Sequence, residues 1–312
     1  MTRFIHDQFA KDYLQELLEP IGRVEIPRRV TGEARQIDVW FEPANSPDAN
    51  HISKLGLLGR FTNSMCIFEP FRNPATVEEI CNSVLKYLEV RGEFAREANR
   101  NEEKLQENNL PRLWIISPTA SENILNGFGG VSDNKNWGPG IYFFHKYFRS
   151  AIVAIHQLPK TPDTLWLRML GRGKVQRQAI TELEALPEDD LLRLKALELF
   201  YELRNILEAR QQNREQVEEE DKELIVRLKS LYQQTLEAAK AEASLEGRQQ
   251  GLQQGLQQGE RIIIEQLLKT RFGSLDEELL GIIEPLLLLP PEEFTPLLLG
   301  LSRQELLERF CD

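Results

Sequence analysis

With 312 residues, of which 41% are hydrophobic and 28% charged, the chain has the length of about two domains and the composition of a folded protein rather than a disordered one. No run of about 18 apolar residues occurs, so a membrane span is not expected. Three cysteines without CxxC spacing (Cys66, Cys81, Cys311), four scattered histidines and the lack of an apolar leader exclude a zinc or disulfide framework and point to a cytoplasmic protein. The net charge of −11 is unevenly spread: residues 1–180 hold 23 Lys/Arg against 21 Asp/Glu, and residues 181–312 hold 15 against 28, which leaves the first half able to meet a polyanion through a local basic face.

Ile5, Phe9, Tyr13, Leu14, Leu17 and Leu18 recur at helical spacing until Pro20-Ile21-Gly22 ends the run. Val24–Val30 reads as a short extended segment, Thr31-Gly32-Glu33 as a turn and Gln36–Pro43 as an alternating strand. Ala44–Asn50 is turn-rich, His51–Arg60 reads as a short helix and Met65–Phe71 as a strand. Thr76 and Glu79 have the spacing of a capping box, opening a helix expected to reach about Leu105. Arg112–Pro118, Gly140–Phe144 and Ala151–Pro159 supply three further strands. This alternation predicts an α/β domain over residues 1–160, with a mixed sheet flanked by helices. Gly127–Gly130 (GFGG) lacks the GxGxxG spacing and reads as a loop rather than a nucleotide cradle.

Beyond Thr161 the pattern turns helical, first over Leu165–Glu184 and Leu191–Leu207. From Leu224 a heptad grid can be laid through positions 224, 228, 231, 235, 238, 242, 245, 249, 252, 256, 259 and 263. Eight of its twelve occupants are apolar, the pattern of a coiled-coil seam. The grid keeps its phase through GRQQGLQQGLQQGE (Gly247–Glu260). Each helical glycine there costs about 1 kcal/mol relative to alanine, so the stretch is either a frayed linker or a helix held by a partner. Residues 161–260 thus read as a helical or coiled-coil stalk that mediates self-association, and residues 261–312 as a small all-α module of amphipathic helices.

Two acids stand out in the first half. Asp38 and Glu69 each interrupt an apolar strand pattern, where a carboxylate is expensive to bury unless it is paired or bound to a cation. They are either ligands of a hard divalent ion or strand-end acids paired with arginines such as Arg28, Arg29 or Arg35. Arg168, Arg172, Lys174 and Arg177, with glycines at 171 and 173 and Trp166 nearby, form a basic stretch suited to phosphate oxygens, or else to salt bridges with the acidic second half.

The order helix, three strands, helix, strand, with Asp38 in the second strand and Glu69 in the third, resembles the PD-(D/E)XK nuclease superfamily and its restriction-endonuclease-like core. HDQFAKDYLQELL (His6–Leu18) is similar to the start of the Rpn family of recombination-promoting nucleases and putative transposases. IIEQLLKTRFGSL followed by ELLERF resembles a cyanobacterial C-terminal domain of unknown function that follows such nucleases, often after glycine/glutamine repeats. The resemblance implies a DNA endonuclease, with Asp38 and Glu69 holding Mg²⁺ or Mn²⁺ and Glu16 as an auxiliary acid. Phe71 stands where the family has Lys or Gln, which leaves Arg72 or Lys86 to replace it. The alternative is a catalytically inactive oligomeric interaction scaffold.

Overall fold

The computed structural model describes residues 2–29, 36–213, 215 and 217–310. The turn expected at Thr31-Gly32-Glu33, the pairing of Arg35 and Cys311 lie outside them, and the side chains of Arg28, Arg29, Thr235, Ala238 and Glu242 are likewise not described. The chain divides into two compact units, Met1–Tyr232 and Gln233–Asp312.

The first unit is built on a seven-stranded mixed sheet. After helix α1 (Thr2–Leu18) come β1 (Gly22–Glu25), a two-stranded ribbon of β2 (Arg28–Arg29) and β3 (Gln36–Ile37), and β4 (Val39–Pro43). Helices α2 (Ala49–Lys54) and α3 (Leu57–Phe61) lead to β5 (Cys66–Pro70), and α4 (Val77–Arg100) leads to β6 (Arg112–Ser117). Then follow α5 (Glu122–Gly127), β7 (Val131–Ser132), β8 (Ile141–Phe143) and β9 (Ser150–Ala154). The strand order is β1-β4-β5-β6-β9-β8-β7. The two central pairings, β5 with β6 and β6 with β9, are parallel, and the outer ones are antiparallel.

Both faces of the sheet are buried, and the strand period of two sorts the side chains between them. Val39, Phe41, Phe68, Trp114 and Ile116 pack on the α1 side with Phe9, Tyr13, Leu14 and Leu17. Trp40, Ile67, Leu113, Ile115 and Ile152 pack on the α4 side with Ile80, Tyr87 and Val90. Thr76 caps α4 as its spacing with Glu79 predicts, the Thr76 side chain accepting from the Glu79 amide and the Glu79 carboxylate accepting from the Thr76 amide. The helix ends at Arg100, about a turn and a half before the expected Leu105.

The strand expected over Gln36–Pro43 is broken at Asp38. Its first two residues pair with β2 in the ribbon, and Val39 onward joins the main sheet. The backbone bends at Asp38, whose side chain stays partly exposed between the ribbon and the main sheet.

Helices α6 (Leu165–Arg168), α7 (Gly173–Glu184), α8 (Leu191–Gln212) and the start of α9 (Glu219–Phe272) also belong to the first unit. Leu165, Leu183, Phe200, Leu207, Leu224, Leu228 and Leu231 share the core cluster of the α1 face. The first three grid leucines are thus covered within the chain itself. Gly247–Glu260 is helical and forms part of α9.

In the second unit, the end of α9 packs with α10 (Glu277–Gly281), α11 (Ile283–Leu287), α12 (Pro291–Gly300) and α13 (Arg303–Phe310). Ile264, Leu268, Ile282, Ile283, Leu286, Phe294, Leu298 and Leu306 form its core. Among the described residues no helix is long and apolar enough to cross a membrane.

Candidate active site

A cleft of about 500 Å³ opens at the carboxyl end of β5, lined by residues of α1, the Asp38 bend, β5 with the turn after it, and α4. Asp7, Asp38, Glu69, Phe71, Arg72, Glu79, Asn82 and Lys86 contribute to its walls. Carboxyl ends of parallel strands are where open α/β sheets place ligands, because the backbone there diverges into loops.

Glu69 shares the face of Ile67, toward α4, and is 1% exposed. Its Oε2 lies 2.6 Å from Lys86 Nζ, and its Oε1 accepts from the backbone N–H of Asp38 at 3.2 Å. Burial, followed by the charge of Asp38, raises its pKa to about 7, against the opposing pull of Lys86. Asp38 is in turn held by Lys11, whose Nζ is 2.8 Å from Asp38 Oδ1 and 2.8 Å from Asp7 Oδ2. The two carboxylates outweigh burial and raise the Lys11 pKa. Asp38, Glu69 and Lys86, which are distant in sequence, are thus brought to one cleft.

Glu69 is nearly fully buried and Asp38 partly so; burial first, and then the charge of Asp38, drives Glu69 toward its protonated form, which a cation in the cleft would oppose. Among the described residues no group of three or more His, Cys, Asp or Glu is placed to hold a metal. An ion such as Mg²⁺, which keeps most of its waters and needs only one or two carboxylates, is the kind that Asp38 and Glu69 would suit.

Glu16, expected as an auxiliary acid, lies away from this cleft. Its carboxylate pairs with Lys195 Nζ of α8 at 2.6 Å and does not line the cleft. Asp7 does line it, and lies nine residues away, about half a turn out of phase on the same helix. The signal for Asp7 in the sequence is its i,i+4 spacing to Lys11, which makes both side chains neighbours on one face.

Arg72 lines the cleft, but its guanidinium is engaged elsewhere. It donates to Asp221 Oδ1 at 2.7 Å and to the Gly171 carbonyl at 3.2 Å. Asp221, at the start of α9 and fully buried, also bonds His6 at 2.9 Å. Burial lowers the His6 pKa, whereas for Asp221 the bonds from His6 and Arg72 outweigh burial and hold its carboxyl below the usual range. Phe71 is partly buried and packs against the cluster on the α4 face.

The basic stretch is mostly spent inside the chain. Arg168, 1% exposed, donates to Glu182, Thr164 and the Thr161 carbonyl, so the expected phosphate contact through it is corrected to a structural one. Arg172 pairs with Glu218 and Glu220, and Arg177 with Glu223. Trp166 is buried, with its indole N–H on the Lys54 carbonyl. Lys174 alone of the four is exposed. The salt-bridge alternative therefore describes three of the four residues.

Comparison of the chain with family models, with curated proteins and with solved structures gave no match.

Gly127–Gly129 borders a different groove, of about 700 Å³ and largely apolar, together with Leu85, Leu88, Phe144 and Phe148. Gly129 has φ +64, and a Cβ there would lie 2.8 Å from the His145 ring, which accounts for glycine at that position.

Proposed function

We propose that the cleft is the phosphodiester-cleaving centre of a divalent-metal-dependent DNA endonuclease of PD-(D/E)XK type, allied to the Rpn nucleases and transposases. The observation that carries this reading is the meeting of Asp38, Glu69 and Lys86 in one cleft, with Lys86 Nζ 2.6 Å from Glu69 Oε2. The mixed sheet flanked by α1 and α4 on opposite faces supports a restriction-endonuclease-like core.

Asp38 and Glu69 are the residues that would hold Mg²⁺ or Mn²⁺. Such an ion polarises a phosphoryl oxygen and acidifies a bound water. Lys86 orients the Glu69 carboxylate and brings a positive charge to the place where charge develops on the phosphate. From the neighbouring helix it takes the part of the lysine that Phe71 replaces, and Phe71 closes the apolar wall behind it. Lys11 fixes the rotamer of Asp38 and ties it to Asp7. Arg72, engaged by Asp221, serves as a wall of the cleft rather than as its base, since a guanidinium does not deprotonate at neutral pH. Lys174 is the residue of the basic stretch that supports contact with the DNA backbone.

One observation favours a second reading, a catalytically inactive interaction scaffold. Asp38 and Glu69 are each already paired with a lysine, so each carboxylate has a counter-charge as it stands. Plasmid nicking with Mg²⁺ or Mn²⁺ separates the two, comparing the unaltered chain with Asp38→Ala and Glu69→Ala. Loss of nicking in both variants is expected. Nicking that survives both would reject the site, and an inactive parent chain with no heat of metal binding would select the scaffold.

A further inference from the structure

Within the second unit, Leu245, Leu252, Leu256 and Ile263 are 59%, 67%, 60% and 52% exposed. At about 100° per residue they fall within about 20° of one line along α9. Their neighbours Ile264 and Leu268 are buried in the module's own core, so the stripe is a separate apolar face. A side chain added at Gly247, Gly251, Gly255 or Gly259 would meet nothing within 4 Å. This stretch of helix therefore carries four glycines and an apolar stripe that the described residues leave uncovered.

We propose that this stripe is the docking face for a second copy of the chain, paired in antiparallel register. The spacing carries the argument. The intervals seven, four and seven read the same in both directions, so two copies related by a two-fold axis near Gln254 place Leu245 opposite Ile263 and Leu252 opposite Leu256. Self-complementarity of this kind is what an isologous interface needs and what a foreign partner has no reason to match. Charge agrees with it. Residues 249–259 bear no charge, so two chains of net charge −11 meet there without local repulsion. The antiparallel register sets Arg248 of one copy at the height of Glu260 of the other, whereas a parallel pair would set like against like. With Gln249 and Gly259 between them the positions step by four and three, the spacing of knobs-into-holes packing, and the glutamines tolerate the solvent at its margins.

Leu224, Leu228 and Leu231 of the heptad grid have no share in this interface, since they are buried in the first unit. Assembly is assigned to about nineteen residues, and not to the whole length of α9.

Sedimentation of the full chain over a concentration series tests the proposal against the charge-introducing variant Leu252→Glu/Leu256→Glu. The expected result is a species of twice the 36.1 kDa chain mass for the parent, and a single-chain mass for the variant. A parent that stays single at every concentration would overturn the proposal and leave the stripe to another partner. A variant that still dimerises would overturn it equally. For orientation, chains bearing Leu252→Cys and Leu256→Cys, with Cys81 and Cys311 replaced by serine, are mixed and oxidised. Cross-links between the two kinds of chain are expected, and cross-links of each kind only with itself would reject the antiparallel register.

Discussion

Lys86 Nζ lies 2.6 Å from Glu69 Oε2, joining the third turn of α4 to the end of β5 within the cleft. The pair has a charged donor and a nearly buried acceptor, so neither partner can be removed quietly. Lys86→Ala should lower metal-dependent nicking by about 10²–10³-fold, the range for loss of one group that stabilises transition-state charge. Lys86→Arg should recover part of this at most, because a planar guanidinium does not reproduce a point charge at that carboxylate. Turnover of supercoiled plasmid measures both.

Glu69 sets the pH dependence. Its pKa is about 7 in the folded chain, above the ordinary value of 4.5, so the native state holds a proton that the unfolded chain has released between those two values. The stability contributed by that proton is full below pH 4.5 and is lost as pH rises through 7. Calorimetric unfolding should therefore show stability falling over this window by on the order of 1–3 kcal/mol, with a flatter profile for Glu69→Gln. Metal binding needs the ionised carboxylate, so nicking should rise with pH across the same range.

Asp221 holds together residues far apart in the chain, since His6 of α1 and Arg72 beside the cleft both bond to it at the start of α9. Asp221→Ala would leave a buried guanidinium without its counter-charge. A loss of about 3–5 kcal/mol is expected, measurable by urea titration. His6→Gln, which keeps a polar partner and leaves the Arg72 pair intact, should cost much less.

Arg168 and Lys174 should respond in opposite ways. Arg168→Ala breaks a buried ion pair with Glu182 and should destabilise the fold by a few kcal/mol. Lys174→Ala should leave stability within about 0.5 kcal/mol but weaken DNA retention and reduce its salt dependence.

Gly251 faces open space in a helical stretch. Gly251→Ala should stabilise that part of α9 by about 1 kcal/mol, read as slower amide hydrogen exchange over residues 247–260. At about 120° from the leucine stripe, the added methyl should leave the chain's oligomeric mass unchanged.

The sheet was legible in the sequence because its strands bury both faces and so appear as apolar runs broken by single acids. Asp38 and Glu69 stood out for that reason, and the capping box at Thr76 fixed where α4 begins. The basic stretch left phosphate contact and internal pairing both open because its partners are remote in sequence. Arg168 meets Glu182 fourteen residues on, and Arg172 and Arg177 meet acids of α9 more than forty residues away. Local charge density cannot distinguish such internal pairing from a surface awaiting phosphate. Leu224, Leu228 and Leu231 misled for a related reason, since a helix lying on its own domain and a helix facing a partner chain show the same apolar period. Glu16 and Asp7 were separable only by phase, which is fixed once α1 is known to turn Phe9, Tyr13 and Leu17 toward the sheet.

The division at Tyr232 has a spectroscopic consequence. All four tryptophans and all six tyrosines precede Gln233, and the aromatic residues of the second unit are Phe272, Phe294 and Phe310. Indole emission therefore follows the melting of the first unit alone, while far-ultraviolet circular dichroism, dominated by helix, registers both. Any gap between the two transitions in one sample reads out directly how far the halves of this chain unfold independently.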